Sequence, residues 1–523
     1  MLSSIKLRPC LWKQSQILKR SYAWATLPDF TKDRYQVTRG DFSQVTDADI
    51  GQFQSILKNS RVLLDDNDTQ AYNIDTMKSV RGYSRVVLKP KTTEEVSKIL
   101  SYCNDRKLAV CPQGGNTGLV GGSVPVFDEV IVSTQLMNRI ENIDELSGTL
   151  ECQSGCILEV LEQAVSEKGL CEHKILFKKN DSNESSLGMP LDLGAKGSCH
   201  IGGNLSTNAG GIRLLRYGNL HGSVLGLEAV KADGTILDLM SNFKKDNTGY
   251  HLKHLFIGSE GTLGLITKVS ISCPTASRAI NVAFLGLESY DAVLQTFLAA
   301  KRDLGEILSS CEMLDKDALD CSLNAYNLRS PISKYPFYML IETSGSRMDH
   351  DEEKINKFLQ YVMEKKLVVD GTVTNEPGKM KAIWEPRETI GTAMFKDCYS
   401  FSYDFSVPLK NFYDLVNATK KQISDLPANA FGFGHLGDSN LHLIVQCKEY
   451  DSEIHRRVEP FVYEFTSKLK GSISSEHGIG FLKSKYLQFS KKSECIDAMK
   501  EIKTFMDPNG ILNPYKVLPK NVC

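Results

Sequence analysis

Apolar and polar positions along the chain follow two periods. Arg85-Val-Val-Leu-Lys-Pro90 reads as a strand, and Thr92-Thr-Glu-Glu95 is a capping-box signature ahead of a helix that carries Val96, Ile99, Leu100 and Cys103 on one side. Leu108-Ala-Val-Cys111, Glu129-Val-Ile-Val-Ser133 and Thr149-Leu-Glu-Cys152 are further strands, and the spacing of Leu158, Leu161 and Val165 predicts an amphipathic helix from Ile157 to Lys168. Residues 172–188, containing the polar run KKNDSNESS, are expected to form a solvated surface loop inserted into this pattern. Leu265 to Ser272 is again a strand. After Pro274 the pattern shifts to helices and strands with charged faces such as Asp349-His-Asp-Glu-Glu-Lys354. Here Tyr338–Glu342, Tyr403–Pro408 and the stretch 431–445 are expected to share one antiparallel sheet.

Within that sheet, FGFGHLGDSNLHLIV (431–445) has two apolar runs around Gly437-Asp438-Ser439, the pattern of a β-hairpin. With Asp438 and Ser439 as the central pair, His435 and His442 stand directly opposite each other. Directly opposed residues share a face with Cβ atoms about 4.5–5.5 Å apart. Two imidazoles at that spacing can bind one divalent metal, with Glu476 or His477 of Ser475-Glu-His-Gly478 as a further ligand.

Small-residue segments punctuate the first half. Pro112-Gln-Gly-Gly-Asn-Thr-Gly118, continuing to Gly121 and Gly122, follows a strand, so its bare backbone N–H groups can hold phosphate oxygens. His200-Ile-Gly-Gly-Asn204 with Ser206-Thr-Asn-Ala-Gly-Gly211 is the second, and Gly258-Ser-Glu-Gly-Thr-Leu-Gly264 the third. No Gly-Lys-Ser/Thr follows the first loop and none of the three segments carries GxGxxG, which argues against a P-loop and a Rossmann site there. Three such loops beside strands suggest one extended ligand with a diphosphate and a planar ring.

At 523 residues the chain is long enough for two or three domains. Its 62 basic and 63 acidic residues leave no basic footprint for nucleic acid, and no apolar run is long enough to span a bilayer. The 14 Cys include no CxxC pair, as expected for reduced thiols in an intracellular compartment. From Met1 to Pro28 there are five basic residues, Lys6, Arg8, Lys13, Lys19 and Arg20, and no acidic one. That composition predicts a mitochondrial transit peptide over residues 1–25.

The motifs PQGGNTGLVGG (112–122), GGNLSTNAGG (202–211), GSEGTLGLIT (258–267), GHLGDSNLH (434–442), SSEHGIG (474–480) and NPYKVLP (513–519) together resemble the flavin-dependent 2-hydroxy-acid dehydrogenases of the vanillyl-alcohol oxidase superfamily. The resemblance spans roughly residues 80–519. It implies an α+β chain: a two-subdomain FAD-binding domain over 80–275, then a ferredoxin-like substrate and metal domain with a C-terminal segment over 276–519. It implies that Pro112, Gly114, Gly115, Asn116, Thr117 and Gly118 cradle the pyrophosphate of FAD. Gly202, Gly203, Asn204, Thr207, Asn208 and Gly210, then Glu260, Gly261, Gly264 and Ile266, and finally Asn513, would line the remainder. Asn116 stands where covalently flavinylated members carry a linking residue, so non-covalent FAD is expected.

The resemblance further assigns His435, His442 and Glu476 to a divalent metal, zinc or a similar ion, and Arg387, Thr392 and His477 to the substrate. This agrees with the chemistry of the residue types: a metal lowers the pKa of an α-hydroxyl, an imidazole can take its proton, and a guanidinium fork binds a carboxylate. The substrate implied is D-2-hydroxyglutarate, with D-lactate or glycolate as the alternative. The implied acceptor is electron transfer flavoprotein, the implied place the mitochondrial matrix, and a homodimer is left open. Three positions depart from the 2-hydroxyglutarate pattern: Gly391 for Thr, Ser402 for Lys and Ile444 for Asn. Loss of a charge-assisted bond, worth about 1.5–3 kcal/mol, at Ser402 weakens the case for a second carboxylate.

Overall fold

A computed structural model describes residues 27–176 and 187–519; the transit-peptide segment 1–25 and residues 177–186 lie outside the described residues. Three sheets organise it. In the first, Val62–Leu63 (β1), Val87–Leu88 (β2), Val110–Gln113 (β3) and Val130–Ser133 (β4) are ordered β1-β2-β4-β3, with β2, β4 and β3 parallel. The helix Thr93–Arg106 leads from β2 into β3 and buries the expected stripe of Val96, Ile99, Leu100 and Cys103. Thr92 caps it by accepting the Glu95 N–H. Glu95 does not close the box: its carboxylate takes the Lys91 N–H at 2.7 Å and pairs with Arg61. A nearby guanidinium competes better for a carboxylate than one backbone amide does.

The second sheet is antiparallel. Ile140–Asp144 (β5), Thr149–Gln153 (β6), Val224–Val230 (β7), Ile236–Leu239 (β8) and Leu265–Ser272 (β9) run in the order β5-β6-β9-β7-β8. The helix after β6 extends to Leu176, so residues 172–176 continue the helix instead of opening a loop.

The third sheet has seven strands, Ala279–Leu287 (β10), Leu308–Asp315 (β11), Phe337–Gly345 (β12), Asp370–Thr374 (β13), Tyr399–Ser406 (β14), Ala428–His435 (β15) and Asn440–Cys447 (β16), ordered β13-β10-β12-β11-β15-β16-β14. The three stretches expected to share a sheet do so. Phe297, Phe358, Phe412 and Val462, from four helices, pack on one face against Leu285, Met339, Phe405 and Leu443. On the other face Leu319, Ile383 and Trp384 meet Phe284, Leu340, Phe431 and Ile444. Phe405 is fully buried, and truncating such a ring to alanine costs about 3–5 kcal/mol.

The hairpin differs from expectation in register. His435 pairs with Asn440 and His442 with Phe433, so the loop is Leu436–Ser439 and the two histidines are diagonal neighbours, not directly opposed. Ser439 is left-handed (φ 63°), and a Cβ on Gly434 (φ 154°) would stand 2.1 Å from the Asn440 carbonyl oxygen. The tight crossing at Gly434 favours the four-residue loop. The slip is two residues, and side chains alternate with period two, so both imidazoles keep the same face.

Candidate active site

The glycine-bearing segments meet in one cleft. β3 delivers the first, and the third runs into β9. The second is not a loop throughout, because Ile201–Thr207 forms a short helix closed by Asn208 in the left-handed conformation (φ 48°). Buried Ile201 and Leu205 anchor that helix in the core of the second sheet. Some glycines are close-approach residues: a Cβ on Gly115 would stand 2.1 Å from the Ser198 carbonyl oxygen. Others border open space, since a Cβ on Gly118 or Gly203 would meet no atom within 4 Å.

From the first segment, Pro112, Gly114, Gly115, Asn116, Thr117 and Gly118 line the cleft. Gly202, Gly203, Asn204 and Thr207 line it from the second, and Glu260, Gly261, Gly264 and Ile266 from the third. Asn208, Gly210 and Asn513 are not on its wall. The cleft is open to solvent on one side, and the space between its walls and mouth is about 860 Å³. Oδ1 of Asn204 is buried with no hydrogen-bond partner in the protein, and buried polar atoms are ordinarily paired. Bare backbone, open space at Gly118 and Gly203, and an unpaired acceptor fit a flavin dinucleotide.

Several expected cofactor residues hold the scaffold as well. The Asn116 amide donates to the Ala71 and Ile74 carbonyls while its Oδ1 accepts from Ser123. Asn513 donates to the Glu260 carbonyl at 2.7 Å. The Glu260 carboxylate accepts the Ile479 and Gly480 N–H groups at 2.7 and 2.8 Å, tying the third segment to the chain just after His477. Burial raises the Glu260 pKa, which those amides partly offset.

Beside the cleft, His435 Nε2 and His442 Nε2 are 3.5 Å apart. Glu476 Oε1 lies 3.4 Å from His442 Nε2 and 3.9 Å from His435 Nε2. Donor atoms about 2.0–2.2 Å from one tetrahedral ion stand roughly 3.3–3.6 Å apart, so these three fit a divalent metal. His477 Nε2 is 3.7 Å from the same carboxylate oxygen. Burial raises the energy of a charge on His435, but Glu312 and Glu476 outweigh it and raise its pKa to about 10. His442 goes the other way, down to about 3, chiefly by burial. Two protonated imidazoles cannot sit this close, and the one backed by Glu312 takes the proton. A divalent ion held by both imidazoles would require both to be deprotonated at Nε2.

Two carboxylates escaped the sequence reading. Glu312 on β11 accepts from Arg387 Nε and Nη2 at 3.0 and 2.7 Å and pairs with His435 Nδ1 at 2.8 Å. Burial opposes its charge, yet His435 and Arg387 hold its carboxyl down to about 2. Arg387 also lies over the Phe433 ring, 4.8 Å from its centroid. Asp404 on β14 is fully buried and accepts the N–H groups of Ser475, Glu476 and His477 at 2.9, 3.0 and 3.0 Å, with Asn440 on its other oxygen. Asp404, His442, Glu476 and His477 also bring donor atoms within 4.8 Å of one another. Because Asp404 spends its lone pairs on the 474–477 loop, it is better placed to shape that loop than to ligate. The sequence carries only a generic signal for either, an acidic residue inside an apolar strand that must be paired if buried, and it does not say with what.

Thr392 stands exposed, its hydroxyl accepting from Tyr326 and donating to the Thr389 carbonyl. Ser402 pairs with Ile444 across β14 and β16, and Ile444 is fully buried among Phe431, Phe433 and Met394. Gly391 is exposed, with open space where a side chain would go. His477 lines the flavin-type cleft and flanks the metal-type cluster.

Residues 276–517 match the model for the C-terminal domain of FAD-linked oxidases, and residues 84–173 and 181–240 match that for an FAD-binding domain. This chain belongs to the FAD-linked oxidase family. The chain is 51% identical to the mitochondrial D-2-hydroxyglutarate dehydrogenase of Danio rerio, covering 92% of this chain and 87% of that one. It is 49% identical to the Rattus norvegicus enzyme of the same name, over 94% and 88%. A putative mitochondrial D-lactate dehydrogenase of Schizosaccharomyces pombe is 44% identical over 94% of each. Among solved structures, p-cresol methylhydroxylase superposes with a TM-score of 0.70 at 15% identity, covering 90% of this chain and 97% of that one. The expected α+β fold of vanillyl-alcohol oxidase type is therefore the fold of this oxidase, a flavin-dependent oxidoreductase.

Proposed function

We propose that this FAD-linked oxidase oxidises D-2-hydroxyglutarate to 2-oxoglutarate. One observation carries the reading: His477 stands on the wall of the flavin-type cleft and beside the His435, His442 and Glu476 donor set. A substrate there has its C2 hydroxyl next to a base, a metal position and a flavin position at once. FAD, which the glycine-bearing segments would hold non-covalently, would supply a two-electron hydride acceptor beside the substrate C2. A zinc or similar divalent ion held by His435, His442 and Glu476 supplies a Lewis acid that favours the ionised hydroxyl. Arg387 holds the C1 carboxylate with the guanidinium edge that Glu312 leaves open, and the Phe433 ring fixes its plane. His477 Nε2 takes the hydroxyl proton. Asp404, 3.8 Å from His477 Nδ1, accepts the His477 backbone N–H and so holds that residue in place.

The names of relatives at 48–51% identity support the substrate, and their mitochondrial designation, with the basic N-terminus, supports the matrix. Electron transfer flavoprotein is the proposed acceptor. No helix among the described residues is long and apolar enough to cross a membrane.

A second reading, oxidation of D-lactate or glycolate, is favoured by Ser402 and the buried Ile444, which put no charge on that part of the sheet. Turnover of the purified protein on both substrates separates the two. The proposal predicts the higher kcat/KM on D-2-hydroxyglutarate, and a higher value on D-lactate would replace it with the second reading.

A further inference from the structure

Glu312 does not touch the flavin-type cleft, yet both of its oxygens are committed within the site. Its side chain is only 1% exposed and sits on β11, directly paired with His435 on β15. One oxygen holds two nitrogens of Arg387, and the carboxylate also takes the Nδ1 side of His435. An imidazole that donates from Nδ1 presents its lone pair at Nε2, and Nε2 is the atom facing His442 and Glu476. A guanidinium bound through Nε and Nη2 is fixed in plane and turns its remaining edge outward.

We propose that Glu312 is a shared positioning residue, which aims His435 at the metal and Arg387 at the substrate carboxylate through one buried carboxylate. This rests on the metal and substrate reading above and goes beyond it, because it makes the two binding events depend on a side chain that contacts neither ligand. The arrangement explains why a charge is tolerated in this strand: four donors surround it, Arg387 Nε and Nη2, His435 Nδ1 and Ser310 Oγ, so a neutral replacement cannot satisfy them all. A glutamine has one acceptor oxygen, and its amide nitrogen repels whichever donor it faces.

The test uses full-length flavin-loaded protein and the Glu312→Gln and Glu312→Asp variants. Zinc affinity is read by competition with a chromophoric chelator. KM and kcat are read on D-2-hydroxyglutarate, while the visible flavin spectrum and thermal midpoint report folding. The expected result for Glu312→Gln is zinc affinity lowered by about 10–100-fold and KM raised by about tenfold or more, with flavin retained. Glu312→Asp, which keeps the charge on a shorter stem, should recover part of both. Loss of one property with the other unchanged overturns the shared role, as does wild-type behaviour in both. A wild-type protein that takes up no divalent ion overturns the metal reading instead, while the KM of Glu312→Gln still judges the hold on Arg387.

Discussion

His442 Nε2 and Glu476 Oε1 approach to 3.4 Å, and His435 closes the third corner. On the proposed function, His442→Ala and Glu476→Ala abolish turnover while the protein keeps its flavin, because neither residue lies on the cleft wall. Absorbance and steady-state assays on the same sample check this. His477→Ala lowers kcat by about 10²–10⁴, the usual contribution of a positioned base; a loss under tenfold would remove it from that role. Arg387→Ala raises KM by tenfold or more, and Arg387→Lys does not recover it, since a point charge cannot grip Glu312 through two nitrogens and still face a carboxylate. At this scale the side chains proposed for the metal and the substrate were legible in sequence as motifs. Glu312 and Asp404 were not, because a lone acidic residue in an apolar strand acquires its partners only when distant strands pair.

Among elements, the strands and helices read between 85 and 272 and the sharing of one sheet by β12, β14 and the hairpin followed from periodicity, because each buries one face against a core. Two features did not follow. The hairpin register depends on where the chain can cross itself at Gly434, which apolar patterning does not encode. The second glycine segment became a helix because Ile201 and Leu205 find a core to bury in, overriding the weak helix propensity of its glycines. That segment and the first glycine loop give opposed predictions. Gly115→Ala forces a Cβ onto the Ser198 carbonyl and should destabilise the protein by about 1–3 kcal/mol even without flavin. Gly203→Ala meets no protein atom and replaces a helical glycine, so the flavin-free protein should gain up to about 1 kcal/mol while its FAD affinity falls. Thermal melts with and without FAD read both. Equal melts for wild type and Gly203→Ala in each state would argue that this face of the cleft holds no cofactor.

For the whole molecule, the chain after residue 470 stitches the two halves together. Asp404 of the third sheet gathers the amides of 475–477, and Glu260 of the flavin-binding half gathers those of 479 and 480. Lys483, buried and with its pKa lowered chiefly by that burial, bonds the Ile473 carbonyl behind the same turn. His477 thus sits where both halves must be correctly folded for it to be placed. The sequence motifs name the parts of this junction in order, but their convergence is a property of the tertiary fold.

The metal requirement tests the central claim most directly. Purified flavin-loaded protein is stripped of divalent ions, then mixed anaerobically with D-2-hydroxyglutarate while the visible flavin band is followed. The account predicts that the stripped protein keeps its flavin, fails to bleach, and bleaches again when zinc or a similar ion is restored. Full bleaching by metal-free protein at the untreated rate would contradict it.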